Sequence, residues 1–488
     1  MGVFYLKIEM TTFTNYILPF NKKTTIGLSL LIVLSILIWI VPEIIGFDAS
    51  ISLRLLAIVL LSIYVVLAFE FVHRTVIVLV VATIAIIIGI TTGLFPADES
   101  LEFAVHSIDF NTIGFLLGMM IIVIILAETG IFQYIGIKMG KASKGNMWKL
   151  LVMMSVFTAV TSMFIDNVTT ILLMIPITFS IFKTFRMSPI PFILAQVLAS
   201  NIGGTATLIG DPPNIMIGSA ANIDFNSFLI HMGPTIAISL IVSLILFKVF
   251  FRKELKITPQ NLDEIMSQDE MSFIKDRPLL IKSLSVLFGV IVLFTIHGIS
   301  HIEPSLVALG GAGVLLLIAK IKPEKILHDV DWSTLIFFAC LFITINIAKE
   351  SGMIDVLAKA ALGITAGNAW ASFFMITWVS AIASAFVDNI PFAVTMIPLI
   401  EILSQNSTIT SEFQSVISPL WWALSLGVGL GGNGTLIGSS AGVIAIGLAE
   451  KHGYKITFMQ FFKIGFPFMI ITVAAGSIVL MIDLMLKL

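Results

Sequence analysis

The sequence predicts an all-α polytopic membrane protein of about 11 transmembrane helices in two inverted repeats, each with a re-entrant hairpin and a broken helix. Three observations lead there. The 488-residue chain is 58% apolar and 11% charged, where a soluble globular domain is about a quarter charged. Apolar runs of roughly 20 residues, enough to cross a hydrocarbon core ~30 Å thick, recur from Thr25 to Leu486. The second half of the chain also repeats the first: "FIDNVTTILLMIP" from 164 is answered by "FVDNIPFAVTMIP" from 386.

In chain order the apolar runs predict spans near 25–42, 52–70, 75–95 and 112–128, then runs at 150–165 and 168–185 that look too short to cross separately. Spans near 190–221, 228–250, 280–297, 304–320 and 333–349 follow, then a second short pair at 371–387 and 390–405, then 414–448 and 464–486. If each short pair turns back on its own side, the basic residues sort themselves. Lys22, Lys23, Arg74, Lys138 to Lys149, Lys183, Arg186, the 251–282 loop, Lys320 to Lys325 and Lys451 to Lys463 fall on one side, while loops near 96–111, 222–227 and 298–303 hold no Lys or Arg. With Arg54, Lys349, Lys359 and Lys487 as the exceptions, this pattern places the N terminus in the cytoplasm and the chain in the cell membrane. The expected organisation is an N-terminal segment with the first span (1–50), repeat 1 (51–250), a hydrophilic cytoplasmic connector (251–279) and repeat 2 (280–488).

Composition also excludes. A net charge of −2 offers no polycationic face, so nucleic acid is not an expected partner, whereas membrane lipid is. Cys340, the single cysteine, lies in an apolar run, which leaves no disulfide and no thiolate metal site. The chain has neither a zinc-type HExxH nor a GxxxxGK[ST] nucleotide loop, so no metal centre, organic cofactor or ATP-driven pump is expected. The segment to Phe20 lacks the order of a cleavable signal, and "MGVFYL" lacks the Ser or Thr of a myristoylation site.

The repeat is ungapped over a long stretch. "DFNTIGF" from 109 aligns with "DWSTLIF" from 331, and "GNMW" from 145 with "GNAW" from 367, each pair 222 positions apart. Five full crossings separate the span at 112 from its mate, and an odd number turns the second copy over. A later match, "TLIG" at 207 and at 435, stands 228 apart.

That match lies in "NIGGTATLIGDPPNIMIG" from 201 and "GLGGNGTLIGSSAGVIAIG" from 429. Gly203, Gly204 and Gly210, with Pro212 and Pro213, make a continuous helix over 202–214 untenable. In lipid such a break survives only where protein or a watery cavity satisfies its backbone. It leaves a half-helix C terminus and N terminus facing each other, a preformed ion site. Asn201, Thr205, Thr207 and Asn214 in one copy, and Asn433, Thr435, Ser439 and Ser440 in the other beside Gly431, Gly432 and Gly438, add neutral oxygen and amide ligands. Close helix packing is the plainer reading of one such stretch; two copies in inverted register weigh against it.

The joints of the short pairs hold Asp166-Asn167, with Thr169 close behind, and Asp388-Asn389. A carboxylate at midplane costs about 2.5–3.5 kcal/mol on insertion scales. Each Asp can bind a cation or carry a proton, or it can N-cap the second hairpin helix, and the roles are compatible. Asp211 corresponds to Ser439, so charge is not symmetric; Asp211 selects substrate or ion, or caps the following half-helix. Glu128 and Glu350 read as interfacial helix ends, and Asp109 and Asp331 as helix caps.

These motifs resemble the ArsB/NhaD branch of the ion transporter superfamily, and within it are most similar to the melanosomal P-protein group and its prokaryotic relatives, over roughly 70–488. The resemblance implies about 11 spans, two hairpins, two broken helices, a homodimer, and sodium or proton as coupling ion. In the superfamily's dicarboxylate members the tips read Ser-Asn-Thr; here they read Asp166-Asn167-Val168 and Asp388-Asn389-Ile390. The added acids disfavour a multivalent carboxylate and suit cation or proton coupling. The expected function is therefore secondary active transport, not catalysis: a small inorganic ion or oxyanion moved by alternating access, of the arsenite/antimonite-efflux or sodium/proton-antiport type. A passive anion channel and a dicarboxylate carrier are the alternatives. An intramembrane aspartyl protease using Asp166 and Asp388 is a further class, lacking its YD and GxGD contexts.

Overall fold

The computed structural model describes residues 22–44, 49–69, 72–296, 302–406, 408, 409, 413 and 417–487. The opening segment with its signal and acylation readings lies outside these residues, as does most of the 298–303 loop. Among the described residues the chain is helical, and nine helices are long and apolar enough to cross a membrane. The chain is a multi-pass membrane protein with about 11 crossings, each broken helix counted as one. It divides into two compact units.

The first unit joins residues up to Asp109 with Trp332–Ala360. It contains α1 (Lys22–Ile44), α2 (Ile51–Phe69), α3 (Arg74–Thr91), α4 (Ser100–Ser107) and, from the second repeat, α16 (Trp332–Glu350). Leu56, Ala85 and Ile347 bring α2, α3 and α16 together around Phe95. Arg54, an exception to the charge rule, is accounted for locally: its guanidinium donates to Glu43 Oε1 (3.0 Å) and the Trp39 carbonyl (3.1 Å) and lies over the Trp39 ring.

The second unit joins Phe110–Asp331 with Ala361–Leu488. Its first-repeat helices are α5 (Phe110–Glu128), α6 (Ile131–Ser143), α7 (Met147–Ser162), α8 (Asn167–Phe185), α9 (Ile190–Gly204), α10 (Pro212–Ala221) and α11 (Phe225–Phe250). A connector holding α12 (Leu262–Ser267) leads to α13 (Arg277–Thr295), α14 (Pro304–Ala319) and α15 (Pro323–Asp329). After α17 (Met353–Thr365), the second repeat continues with α18 (Ala369–Phe386), α19 (Asn389–Ser404), α20 (Pro419–Gly431), α21 (Ser440–Lys451) and α22 (Phe458–Lys487). Helices α5 to α11 thus pair in order with α16 to α22, and α5, α6, α7 and α8 begin 222 positions before their mates. Asp109 and Asp331 stand immediately before α5 and α16. Glu128, the last residue of α5, is held by the Lys325 ammonium at 2.5 Å.

Two sequence expectations are refined. One arm of each hairpin is longer than expected: α8 has 19 residues and α18 has 18, enough to cross by length, whereas α7 and α19 have 16 each. The hairpin tips are tied to the broken helices, through Thr207 to the Met163 carbonyl and Thr435 to the Ala385 carbonyl. The stretches read as plain loops after the 112–128 and 333–349 spans instead form α6 and α17.

The breaks fall at 205–211 and 432–439. Helix α9 has 15 residues and α10 has 10, or ~22 Å and ~15 Å at 1.5 Å per residue. A ~30 Å core therefore encloses the gap between them. Crossed packing fixes the centre: α8 lies on α21, and α10 lies on α19. Glycine permits the two ends of each break to close on one another. A Cβ on Gly204 would stand 2.7 Å from the Gly210 carbonyl, and one on Gly432 would stand 3.0 Å from that of Gly438.

The connector packs onto the first repeat alone. Ile265 is fully buried, Lys275 N donates to the Thr129 carbonyl and Gln260 N to that of Phe185, and the Lys141 ammonium donates to Glu270. That ammonium holds the Glu270 carboxyl below its usual range. A carboxyl so depressed contributes its contact fully above its unperturbed value near pH 4.3 and loses it as pH falls further. Limited proteolysis of the connector should accordingly be slow at pH 7 and quicken below about pH 4, and E270Q should be cut readily at both. Gly204→Leu and Gly432→Leu should each fail to reach the native fold or turn over, read by thermal melting and transport; normal melting and turnover would contradict the glycine closure.

Candidate functional site

Much of the predicted ligand set is consumed in holding the breaks open. The Thr207 hydroxyl donates to the Met163 carbonyl at the first hairpin's tip, and Thr435 does the same to Ala385 at the second. Thr205 returns its hydroxyl to the Asn201 carbonyl at 2.7 Å. Asn214 donates to the carbonyls of Gly204 (3.0 Å) and Thr207 (2.9 Å), two acceptors that the interruption releases, and accepts from Ser425 (2.8 Å). Gly203 and Gly431 sit against the backbones of Ala159 and Ala381, where a side chain has no room. Backbone polar groups at membrane depth require such partners.

The acidic tips act as caps. Asp166 Oδ1 accepts from Thr169 N at 2.8 Å, and Asp388 Oδ1 from Ile390 N at 3.2 Å, each starting the second arm of its hairpin. The other Asp388 oxygen accepts from the Ser440 hydroxyl at 2.6 Å. Both carboxylates are only partly covered, which leaves room for a second role.

Asp211 behaves differently. It occupies the N-cap position of α10 but makes no capping hydrogen bond. The next two residues are Pro212 and Pro213, and neither has an N–H to offer. Its mate Ser439 precedes an ordinary turn and does cap, accepting from Gly442 N. The Asp211 carboxylate turns instead to the second hairpin, where Asn389 donates to Oδ2 at 2.9 Å. Asp211 is 1% exposed, and Oδ1 has no hydrogen-bond partner. Asp388 and Asp166 are its electrostatic neighbours, and no Lys, Arg or His occurs in 160–172, 198–218, 384–394 or 428–446.

Three asparagines complete the cluster. Asn167 donates to Asn201 Oδ1 (3.3 Å), and Asn201 donates to Asn433 Oδ1 and Ser439 Oγ of the second repeat, each at 3.0 Å. The remaining amide of Asn433 is buried without a partner. The structure therefore brings both tips and both breaks into one buried polar cluster, in which Asp211 Oδ1 offers an acceptor and Asn433 Nδ2 a donor.

Sequence reasoning passed over the serines that seat this cluster. Ser162 meets Ser200 at 3.3 Å, Ser200 donates to the Asn167 carbonyl, and Ser384 donates to the Val428 carbonyl at 2.9 Å. Ser162 and Ser384 occupy equivalent repeat positions, a signal available in the alignment of the two halves. A cavity of about 470 Å³ beside the cluster is bounded by Leu208 of the first break, Ile215 and Gly218 of α10, and Asn111, Asp224 and Glu303 at helix starts. Removing the Asn214 amide should leave two carbonyls unsatisfied, at ~1–3 kcal/mol each. N214A should thus melt well below the wild type, and an unchanged melting temperature would contradict the role given to Asn214.

Comparison with known proteins agrees with this architecture. The family profile described as CitMHS, citrate transporter, matches residues 64–427. An uncharacterized transporter of Mycobacterium tuberculosis (strain ATCC 25618 / H37Rv) is 37% identical over 86% of this chain and 95% of its own. The 46 kDa membrane protein of Mycobacterium leprae is 38% identical over the same shares. The P protein of Mus musculus is 34% identical over 87% of this chain, which spans only 59% of that longer relative. The crystal structure of the Alcanivorax borkumensis YdaH transporter superposes with a TM-score of 0.51 over 80% of this chain and 89% of its own, at 14% identity, a similarity of fold. With three quarters of its length inside the profile and transporters among its relatives, the chain belongs to the CitMHS family of membrane transporters.

Proposed function

We propose that the protein is a secondary active transporter that moves a small ion or oxyanion by alternating access, coupled to protons or sodium, with Asp211 at the centre of its solute site. One observation carries this reading: a carboxylate oxygen buried with no hydrogen bond and no basic side chain nearby. Such a group costs several kcal/mol unless a proton or cation joins it. Asp166, Asp388 and the carboxamides of Asn167 and Asn389 act on that position, so the occupant exchanges with charge in an acidic setting. Arsenite or antimonite efflux and sodium/proton antiport, the activities of the ArsB/NhaD branch, fit a site of neutral amides plus titratable acids. The same reading has a cytoplasmic N terminus, a place in the cell membrane and a homodimeric assembly.

The description of the matching family supports a second reading, a citrate or dicarboxylate carrier. Against it stand three acids and no cation in the cluster, where a multivalent anion meets repulsion. Proteoliposomes under imposed proton and sodium gradients separate the two, using sodium, lithium, arsenite, chloride, citrate and succinate as probes. Coupled movement of a cation or of arsenite is the expected result; uptake of citrate or succinate alone would favour the second reading. D211N, D166N and D388N should each slow transport by more than about tenfold, or ~1.4 kcal/mol, while remaining folded. Unchanged rates in all three would end the site assignment.

A further inference from the structure

A second ionisable pair lies in the second unit, away from the solute cluster. His231, seventh residue of α11, meets Asp483 of α22 with Nδ1 to Oδ2 at 2.8 Å, and both side chains are about four-fifths covered. The imidazole ring lies against the Trp422 indole of α20, centroids 4.7 Å apart. Trp422 is 1% exposed, and Phe228, one turn before His231, packs edge-on against it at 5.5 Å. The pair thus joins the closing helices of the two repeats and touches the half-helix that runs into the second break. It has no counterpart within the repeat: Pro234 of α11 matches Pro467 of α22, which sets Ile464 opposite His231 and Phe250 opposite Asp483.

We propose that His231 and Asp483 form a proton-binding site, separate from the solute site, that latches α20 to α11 and α22. Ionisable groups inside membrane helices are costly and mark function. Imidazole changes charge between about pH 5 and 8. An imidazolium here faces both a carboxylate and an indole ring, two attractions that act together. A neutral ring makes both contacts weaker. Trp422 transmits the change, because the end of α20 passes directly to Asn433, which Asn201 holds from the other repeat. Protonation holds the second break in place, and deprotonation frees it.

Helices α7, α9, α13 and α20 pack on α11 alongside α22. Helices α9 and α20 carry no charged residue. Lys149 of α7 lies at the far end of α11, where Lys248 sits over Trp148. Arg277 and Lys282 lie near the start of α13, whose opposite end meets Asn226. On α11 the remaining charges are Asp224 at its cap, engaged by Asn226 N and Ser227, and Lys248. On α22 they are Lys463 and Lys487, the latter one turn past Asp483 with its side chain outside the described residues.

Two measurements test the proposal, the first free of any assumption about cargo. Imidazolium quenches a touching indole, so the purified full-length protein, with no solute added, should lose tryptophan emission as pH falls from 8 to 5. H231Q and W422F should lack that change. Absence of the change in the wild type, or its survival in H231Q, would overturn the site. The second measurement rests on the transport reading: solute exchange in proteoliposomes with equal pH on both sides. The wild type should exchange about three- to fivefold faster at pH 8 than at pH 5.5, the size expected of one partly covered ion pair. H231Q should be fast at both values and H231K, which keeps a cation, slow at both. Exchange by H231Q that follows the wild-type profile would overturn the latch, even where emission titrates. Exchange absent in every variant would instead count against the transport reading, with the emission result standing.

Discussion

A backbone broken inside a bilayer must satisfy its own polar groups, and the rest of this structure follows from how that is done. Two helices stop at membrane depth, and water is not at hand for the carbonyls and amides they release. Asn214 takes two of those carbonyls, and Thr207 and Thr435 pin the turns to the hairpin tips. The hairpins are held in place by the same bonds that repair the breaks. What this repair leaves uncommitted is one carboxylate oxygen, one carboxamide nitrogen and two half-covered acids.

The two repeats divide this labour unequally. The first contributes Asp211, Asn201 and Asn214 to the centre, where the second has Ser439, Gly429 and Gly442. The second contributes Asn433, Ser425 and Ser440, where the first has Thr205, Val197 and Pro212. Most of these positions are polar in one copy where the mate is small or apolar. The connector deepens the asymmetry, since it straps α6 and α8 of the first repeat. Inverted symmetry supplies the two-sided frame, and these differences make its centre chemically asymmetric.

Much of the fold was legible because its determinants are local or periodic. Apolar length marked the spans, the 222-residue spacing marked the repeat, and Gly-Gly followed by Pro-Pro marked the first break. Arm length was misleading for one arm of each hairpin, because α8 and α18 are long enough to cross. The site was legible as a set of residues but not as a division of roles. Threonine and asparagine side chains look alike in sequence whether they face a carbonyl or a solute, so the commitments of Thr207, Thr435 and Asn214 required coordinates. The pairing of His231 with Asp483 spans 252 positions, and no periodic pattern reports a contact of that range.

The proline doublet after Asp211 shapes what that acid can do. By withholding two N–H groups it leaves Asn214 N as the one amide in capping range, and the Asp211 carbonyl takes that amide at 2.9 Å. A residue other than proline at 213 would supply a second amide in capping range. Whether this carboxylate is tied into its helix start is thus set by the neighbour's chemistry as well as by its own.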